Sequence, residues 1–436
     1  GGQLSETRFY GAKNVQQGKL GRIIHIPPIN TMRESTKLTG PSPLRELLNV
    51  VLESIIDSSE AYTQLEQAFE IFEGKIKQEK TDEGISLASI EEDISAGIAD
   101  WDLEFSLAIN PLDLKTMVKY LVGHSVHDRM LDEDMDPEEH GQGFQRHFIF
   151  TLIRLAAEHG TRPQPKKKSE FSPSLVWLLY EEPEAFLHPS HIDVLDDSLR
   201  ELSQGDGSQV LITTHNPQFV SHNIDDLPSL VKLGRSGTST AFGQLSSENV
   251  TSLFHENQDE VDQWIGEGLE VNPDDLTEEM EAAKHALWLD PLRCSAFFAD
   301  VVLLVEGPTE RALIPRMISD GLLPSLPPGI CVIDCLGKFN IHRFVNLFSQ
   351  LKIAHSVLFD LDDDRHPYIE ATIRGSATEY TLAIEAFSQD LESFLGIPKA
   401  GSTYRKPQHA MFYYREEMID GERLAAFADK LSELFP

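Results

Sequence analysis

Acidic residues directly follow short apolar runs at several points of the sequence. In SLVWLLYEEPEAFLHPS, Glu181 and Glu182 come after the run 175–180, and in VVLLVEGPTERALI, Glu306 follows a second run, with Glu310 one helical turn later. The run 175–180 predicts a short strand buried on both faces. A buried strand that ends in paired carboxylates concentrates charge, which is costly unless a partner offsets it. A divalent cation is the simplest such partner. The alternative is a strand that runs out into a solvated acidic turn.

A third apolar run repeats this pattern, and a lysine follows farther on. VLFDLDDD ends in Asp360 and Asp362, which are two residues apart and so lie on one face of a strand. Asp390 and Glu392 come next in SQDLESFLG, and Lys406 in RKPQHA. Two strand-end acidic groups can hold two Mg²⁺ or Mn²⁺ ions that clamp a phosphodiester, and a lysine can stabilise its transition state. Acidic loops would explain any one of these residues but explain their joint occurrence poorly.

The first acidic pair has neighbours that suit nucleotide chemistry. Nucleotide hydrolysis needs a carboxylate near Mg²⁺ and a second group that orients water, and Glu181 and Glu182 could supply both. His215 ends the next apolar run, in ITTHNP, as a candidate γ-phosphate sensor. GQGFQR places Gly141 and Gly143 at a helix start, where backbone N–H groups can meet phosphate. Each motif is weak alone, and their order and spacing strengthen one another.

The elements that position these residues are predicted to be two α/β regions. The run 175–180, a helix over about 191–202 and the strand QVLITTHN form a βαβ unit with a parallel sheet. GRIIHIPPIN and LEFSLAIN (103–110) are predicted strands, and 144–158 is a predicted helix. The second region contains the strands of FFADVVLLVEG, GICVIDCLG and HSVLFDLDDD.

Two amphipathic helices are predicted between the first strand and the βαβ unit. Their apolar residues recur at i, i+3 and i+4. This spacing favours a partner-binding arm and an intrachain core equally. The first stripe comprises Leu44, Leu47, Leu48, Val51, Leu52, Ile55 and Ile56, and the second Tyr62, Leu65, Phe69 and Phe72.

Composition limits the class of protein. The formal charge of −34 argues against a general basic surface that coats nucleic acid, although metal ions and a few cations can still mediate a local DNA contact. The three cysteines form no CxxC pair and suit a reducing interior. No apolar run is long enough to span a bilayer, and the N-terminus lacks signal-peptide character. We expect no membrane association and a cytoplasmic location.

The first set of motifs resembles the ATPase heads of the ABC class, as found in structural-maintenance and RecF-like proteins. In that resemblance WLLYEE is the Walker B strand, with Glu181 on the magnesium side and Glu182 as the catalytic glutamate. GQGFQR resembles the signature motif and the histidine after ITT the switch histidine, which adds the implied ATP-binding residues Gly141, Gly143, Gln145 and His215.

A P-loop, GxxxxGK followed by Ser or Thr, is absent from the sequence. The segment GAKNVQQGKL has six residues between its glycines and Leu20 where the magnesium-binding hydroxyl belongs. In such heads the P-loop lies upstream of the signature, so the chain is expected to be shortened at its N-terminus. We therefore expect no normal ATP hydrolysis by this chain.

The second set of motifs is similar to a Toprim domain, the metal-dependent fold of topoisomerases, primases and some nucleases. An ABC-type head followed by Toprim resembles the OLD (overcoming lysogenization defect) family of ATP-dependent nucleases, which includes the nuclease of the Gabija anti-phage system. The resemblance implies that Lys406 assists cleavage and that the helices after Pro43 form a dimerisation arm. It further implies that metal is bound by Glu306, Glu310, Asp360, Asp362 and Glu392.

The predicted fold is thus α/β, with an ABC-type head, an inserted helical arm and a Toprim domain with a parallel sheet. We expect a DNA endonuclease that acts as a homodimer or larger oligomer, with a helicase-type or other defence protein as a partner. A dimerising scaffold with an idle Toprim site is the alternative, and strand passage or primer synthesis ranks last. The expected segments are a remaining ATPase lobe (1–42), the arm (43–100), the second ATPase lobe (101–245), linker helices (246–297) and Toprim (298–436).

Overall fold

The chain forms two compact units, each with its own parallel sheet. A computed structural model describes residues 22–27, 36, 44, 48, 59–107, 123–159, 176–205, 207–220, 224–323, 326–327, 329–362 and 366–435. The first unit is Gly1–Thr214 and the second is His215–Pro436. None of the helices in these described ranges is long and apolar enough to cross a membrane.

The first unit is built on a three-stranded parallel sheet. Its elements are β1 (Arg22–Ile26), α1 (Glu60–Ile76), α2 (Leu87–Gly97), β2 (Val126–Asp128), β3 (Glu133–Met135), α3 (Gln142–His159), β4 (Val176–Glu181), α4 (Pro189–Gln204) and β5 (Ser208–Thr213). The strand order is β1-β4-β5, so β4 is central and α4 is the crossover helix. This arrangement confirms the predicted βαβ unit, because β4, α4 and β5 follow one another with parallel pairing.

Two predictions for the first unit are corrected. The strand β4 is not buried on both faces, because Leu178 and Tyr180 are buried while Trp177 and Leu179 are only half-buried. The predicted strand 103–110 is wrong over 103–107, which belong to no helix or strand, and 108–110 lie outside the described residues. The backbone N–H groups of Phe105 and Leu107 donate to side chains of α2 instead of to a neighbouring strand.

The second unit contains a four-stranded, wholly parallel sheet in the order β11-β10-β8-β9. Its first part comprises β6 (Val231–Ser236), β7 (Ser239–Gln244), α5 (Ser247–Gly266), α6 (Glu278–Trp288), α7 (Pro291–Cys294), β8 (Val301–Val305) and α8 (Pro308–Ser319). The rest comprises β9 (Ile330–Asp334), α9 (Ile341–Gln350), β10 (His355–Asp360), α10 (Pro367–Gly375), β11 (Thr381–Phe387), α11 (Leu391–Leu395), α12 (Lys406–Arg415) and α13 (Gly421–Glu433).

Helices cover both faces of this sheet. Alternate residues of β8 enter two different cores, since Val302 and Leu304 belong to one buried cluster and Leu303 and Val305 to the other. The first cluster includes side chains of α5 and α9, and the second includes side chains of α8 and α13. A strand that is apolar on both faces therefore fits the observed sequence VVLLV.

The segment predicted as linker helices, 246–297, is part of the first of these two clusters. Leu253, Phe254, Val261 and Trp264 of α5 are buried in the same cluster as the sheet residues. The unit boundary accordingly falls after Thr214 and not after residue 245. The two buried cysteines Cys294 and Cys335 also lie in this cluster, and Cys331 packs against it.

Candidate active site

The strand ends of the second sheet bring the predicted acidic residues together. Because β8 and β10 are parallel neighbours, Glu306, which follows β8, lies beside Asp360, which ends β10. The backbone N–H of Asp360 donates to Glu306 Oε2 at 3.2 Å. Glu310 lies in the first turn of α8 and accepts from the N–H of Gly307 at 3.2 Å. Glu392 enters from α11, which follows β11 on the other side of β10.

Burial and mutual repulsion disfavour charge on these carboxylates. Burial, followed by the nearby Glu310, Glu306, Glu392 and Asp362, raises the pKa of Asp360 to about 9. Burial likewise raises the pKa of Glu310 to about 7, with Glu306 and Glu392 adding to the effect. The pKa of Glu306 is also raised, mainly by burial. A cation in their midst would favour the charged forms again.

The donor set fits a hard divalent cation, although it is not preassembled as a metal cage. Asp360 Oδ1 and Glu392 Oε1 are buried and accept no hydrogen bond from any of the described residues. Buried carboxylate oxygens without donors are the ligands that Mg²⁺ and Mn²⁺ prefer. Within the described ranges, however, no three acidic, histidine or cysteine side chains converge closely enough to hold a metal as they stand.

Two lysines partly neutralise the acidic cluster. Lys406 Nζ lies 3.6 Å from Glu392 Oε2, with the lysine side chain 39% exposed. Burial alone lowers the pKa of Lys406, but Glu392, Asp360, Asp390 and Glu310 together raise it. Lys338, which sequence analysis did not single out, is 6% exposed, and its ammonium group donates to Asp362 Oδ2.

Two other acidic residues at this edge have structural partners. Asp390 is the N-cap of α11 and accepts from the N–H of Ser393 at 2.7 Å, which, against the opposing effect of partial burial, lowers its pKa. Asp334 ends β9, but Arg293 and Arg311 donate to its Oδ1 at 2.9 and 3.1 Å. Asp334 was not among the predicted site residues.

The Walker B-like segment of the first unit has a distinctive backbone. Glu181 Oε1 lies 2.8 Å from His25 Nε2 of the neighbouring strand β1. Glu182 has a φ of +46°, a left-handed conformation that costs energy in a residue with a side chain. The guanidinium of Arg146 donates to the carbonyls of Glu181 and Glu182 at 3.2 and 2.7 Å and so fixes this turn.

The signature-like residues mainly position α3. A Cβ on Gly143 would lie 2.8 Å from the carbonyl oxygen of Phe186, so only glycine allows this close approach. Gln145 is buried, and its Nε2 donates to the carbonyls of Glu138 and His140 at 3.0 and 2.7 Å. Gly141 has open space around it. His215 begins the second unit, where its exposed ring lies 6.4 Å from that of Phe298.

Comparison with known families matches both halves of this arrangement. Residues 29–220 match the family described as AAA ATPase domain, and residues 297–362 match "Overcoming lysogenization defect protein-like, TOPRIM domain". The Old nuclease of Escherichia phage P2 is 26% identical over 231 residues, which are 52% of this chain and 34% of that protein. The OLD nuclease of Thermus scotoductus (strain ATCC 700910 / SA-01) is 25% identical over 185 residues, 42% of this chain and 30% of that protein.

Among solved structures, the C-terminal region of the Xanthomonas campestris pv. campestris OLD protein is 20% identical. The match covers 31% of this chain and 82% of that one, with a TM-score of 0.17. The chain spans about a third of the length of the curated relatives it matches.

The chain therefore combines an AAA-type ATPase domain with a Toprim domain. In this combination it is similar to the OLD, or overcoming lysogenization defect, proteins, whose Toprim model and named nucleases it matches.

Proposed function

We propose that the protein is a metal-dependent DNA endonuclease whose Toprim unit hydrolyses phosphodiesters under the influence of an ATPase head. The observation that carries the proposal is the cluster of Glu306, Glu310, Asp360 and Glu392, in which Asp360 Oδ1 and Glu392 Oε1 are buried without a hydrogen-bond donor among the described residues. The curated relatives bear the name nuclease, which agrees with this chemistry. The ligands we propose for Mg²⁺ or Mn²⁺ are Glu306, Glu310, Asp360, Asp362 and Glu392.

When bound, divalent metal would activate the attacking water and stabilise charge on the leaving oxygen. The chain's own residues would orient these parts. Glu306 and Asp360 lie on adjacent strands, so the sheet itself holds their relative positions. Lys406 lies at the exposed side of the cluster, where its positive charge can meet a phosphate oxygen and stabilise the transition state.

In the ATPase unit we propose the family roles for Glu181, Glu182 and His215, namely magnesium binding, water activation and nucleotide sensing. The strained turn at Glu182, fixed by Arg146, supports a functional role for this segment. For Gly141, Gly143 and Gln145 we propose the family's ATP-binding role, and Gly143 and Gln145 also hold α3 against neighbouring backbone. We further propose ATP as the ligand of the complete head, and anti-phage defence, a cytoplasmic location, a homo-oligomer and a helicase-type partner for the whole protein.

A plasmid assay tests the nuclease proposal. Purified full chain should nick or linearise supercoiled DNA with Mg²⁺ or Mn²⁺, and EDTA should abolish the activity. Asp360→Ala and Glu306→Ala should each lower the rate by about a hundredfold or more, because each removes a proposed ligand. Glu416→Gln is the matched control, since Glu416 is an exposed acid of the same unit, at the end of α12. Cleavage by Asp360→Ala at the parent rate would refute the site.

The alternative, a scaffold with an idle Toprim site, predicts no metal-dependent cleavage by any variant. It is disfavoured by the cluster itself, because an unused site has no need to bury several carboxylates close together at a cost in stability.

A further inference from the structure

Lys338 is a buried cation within the acidic site. Its side chain is 7% exposed, and a buried ammonium group is costly unless it is paired. Its partners are the carboxylate of Asp362 and, at 3.5 Å, the carbonyl oxygen of Asp360. Both partners belong to the end of β10, where the proposed metal ligands lie.

The backbone around Lys338 is held in a defined conformation. Gly337, directly before it, has a φ of +108°, a conformation that other residues rarely adopt. The N–H of Gly337 donates to the carbonyl of Glu306 at 2.8 Å, which ties the turn after β9 to the turn after β8. The backbone of Lys338 is therefore fixed relative to the turn that carries Glu306.

Asp362 differs from the other carboxylates of the site in its exposure and in its bond to Lys338. Its side chain is 41% exposed, whereas that of Glu392 is 6% exposed. Asp362 Oδ2 accepts from the Lys338 ammonium. A metal ion that binds Asp362 has to approach a carboxylate that is already bonded to an ammonium group, and the repulsion between the two cations opposes its binding.

We propose that Lys338 is an internal competitor for divalent metal, which holds Asp362 until a second metal ion displaces it. The remaining carboxylates, Glu306, Glu310, Asp360 and Glu392, would bind the first ion without this competition. The site would then load its metals in a fixed order of affinity, and full occupancy would need a higher metal concentration than the first step. This inference rests on the proposed function, since it concerns the same site.

Mn²⁺ titrations of the full chain test the proposal without any cleavage assay. Calorimetry should show a strong and a weak binding step for the parent. Lys338→Met keeps the length of the side chain but removes its charge, so the weak step should become about tenfold tighter or more. In EDTA the same variant should melt about 3 °C lower or more, because Asp362 loses its partner beside other acids.

Lys399→Met is the matched control. Lys399 Nζ lies 3.9 Å from Asp390, but the lysine side chain is 76% exposed, so its removal takes one positive charge from the neighbourhood without freeing a ligand. Mn²⁺ binding should change less than threefold. An equal effect of both variants would show that general electrostatics, and not competition for Asp362, controls the metal affinity.

Asp362→Asn provides a second route if Lys338→Met does not fold. It should remove the weak step and leave the strong one, so that about one Mn²⁺ fewer binds to each chain. An unchanged stoichiometry would overturn the inference, as would Mn²⁺ binding by Lys338→Met that is equal to or weaker than the parent's. Absence of Mn²⁺ binding to the parent itself would refute the proposed function as well.

Discussion

At the scale of single residues, the carboxylates that are proposed to bind metal repel one another in the metal-free protein. Asp360 is 7% exposed and surrounded by other carboxylates, and its pKa of about 9 expresses that cost. The carboxylate of Asp360 should therefore lower the stability of the metal-free protein and also enable its activity. Asparagine has nearly the same shape as aspartate but carries no charge.

We expect Asp360→Asn to abolish cleavage while raising the melting temperature in EDTA. The carboxyl of Asp360 binds a proton in the folded state up to about pH 9, whereas its usual value is 3.8, so the parent loses stability as the pH rises through this range. The slope from this one group is about 1.4 kcal/mol per pH unit.

Calorimetry in EDTA between pH 7 and 9 measures this effect. The parent's melting temperature should fall with rising pH, and that of Asp360→Asn should fall less steeply. With Mn²⁺ the order should reverse, because only the parent gains the bound metal's stabilisation. A variant that is less stable than the parent in EDTA would mean that the Asp360 carboxylate stabilises the fold by itself.

At the scale of elements, the sequence was most informative where apolar runs end in acid. The strands β4, β8 and β10 were all predicted, because VWLLY, VVLLV and HSVLF are short, mainly apolar runs without helical spacing. Parallel pairing of β8 with β10 brings the carboxyl ends of these two strands to one edge of the second sheet, which is why the acidic residues of the second unit could be grouped before the sheet order was known.

The rest depends on neighbours that a linear pattern does not contain. The helix α5 was predicted as a linker because the segment is rich in acid, yet its apolar residues recur at 250, 253, 254, 261 and 264 and bury one face. Lys338 looked like any surface lysine in CLGKFNI, because its burial is due to the turns of adjacent strands. The segment 103–107 alternates like a strand but has hydrogen-bond partners on α2 instead.

The contact between α3 and the turn after β4 yields a prediction at this scale. Gly143→Ala should destabilise the first unit by about 1–3 kcal/mol, because a Cβ would lie 2.8 Å from the Phe186 carbonyl oxygen and force backbone movement.

Gly74→Ala is its control. Gly74 lies within α1 with nothing within 4 Å of an added Cβ, so alanine should be neutral or stabilise by up to about 1 kcal/mol. Chemical denaturation followed by circular dichroism compares the two variants. Equal stability of Gly143→Ala and the parent would show that the close approach at Phe186 relaxes at no cost.

At the scale of the whole molecule, the two units pose separate chemical questions. The sequence has no P-loop to hold phosphates, so we expect this chain to show no specific ATP hydrolysis and its nuclease activity to be indifferent to ATP. A phosphate-release assay with the parent and Glu182→Gln tests this expectation. Turnover by the parent that disappears in the variant would mean that the chain forms a phosphate site by other residues.

Self-association is the last expectation for the whole molecule, and it concerns α1. Four residues of this helix, Tyr62, Leu65, Phe69 and Phe72, form the stripe predicted from the sequence, and none of them is buried. Leu65 is 40% and Phe72 49% exposed. The start of the arm is helical at residues 44 and 48, whereas Val51 and Ile55 of the first stripe lie outside the described residues. An apolar stripe that stays open to water is the kind of surface that binds a partner, for which we propose a second copy of this chain.

Charged substitutions on the stripe should therefore dissociate the oligomer. Leu65→Glu combined with Phe72→Glu should lower the mass measured by light scattering, while the melting transition and Mn²⁺ binding of the second unit stay unchanged. Gln67→Glu adds a charge to the opposite side of the same helix and should leave the mass as it is. A monomeric parent, or an oligomer that survives both stripe substitutions, would contradict this interface. Dissociation would also change the products, since a dimer brings two nuclease sites to one DNA and permits paired cuts, whereas a monomer should mainly nick.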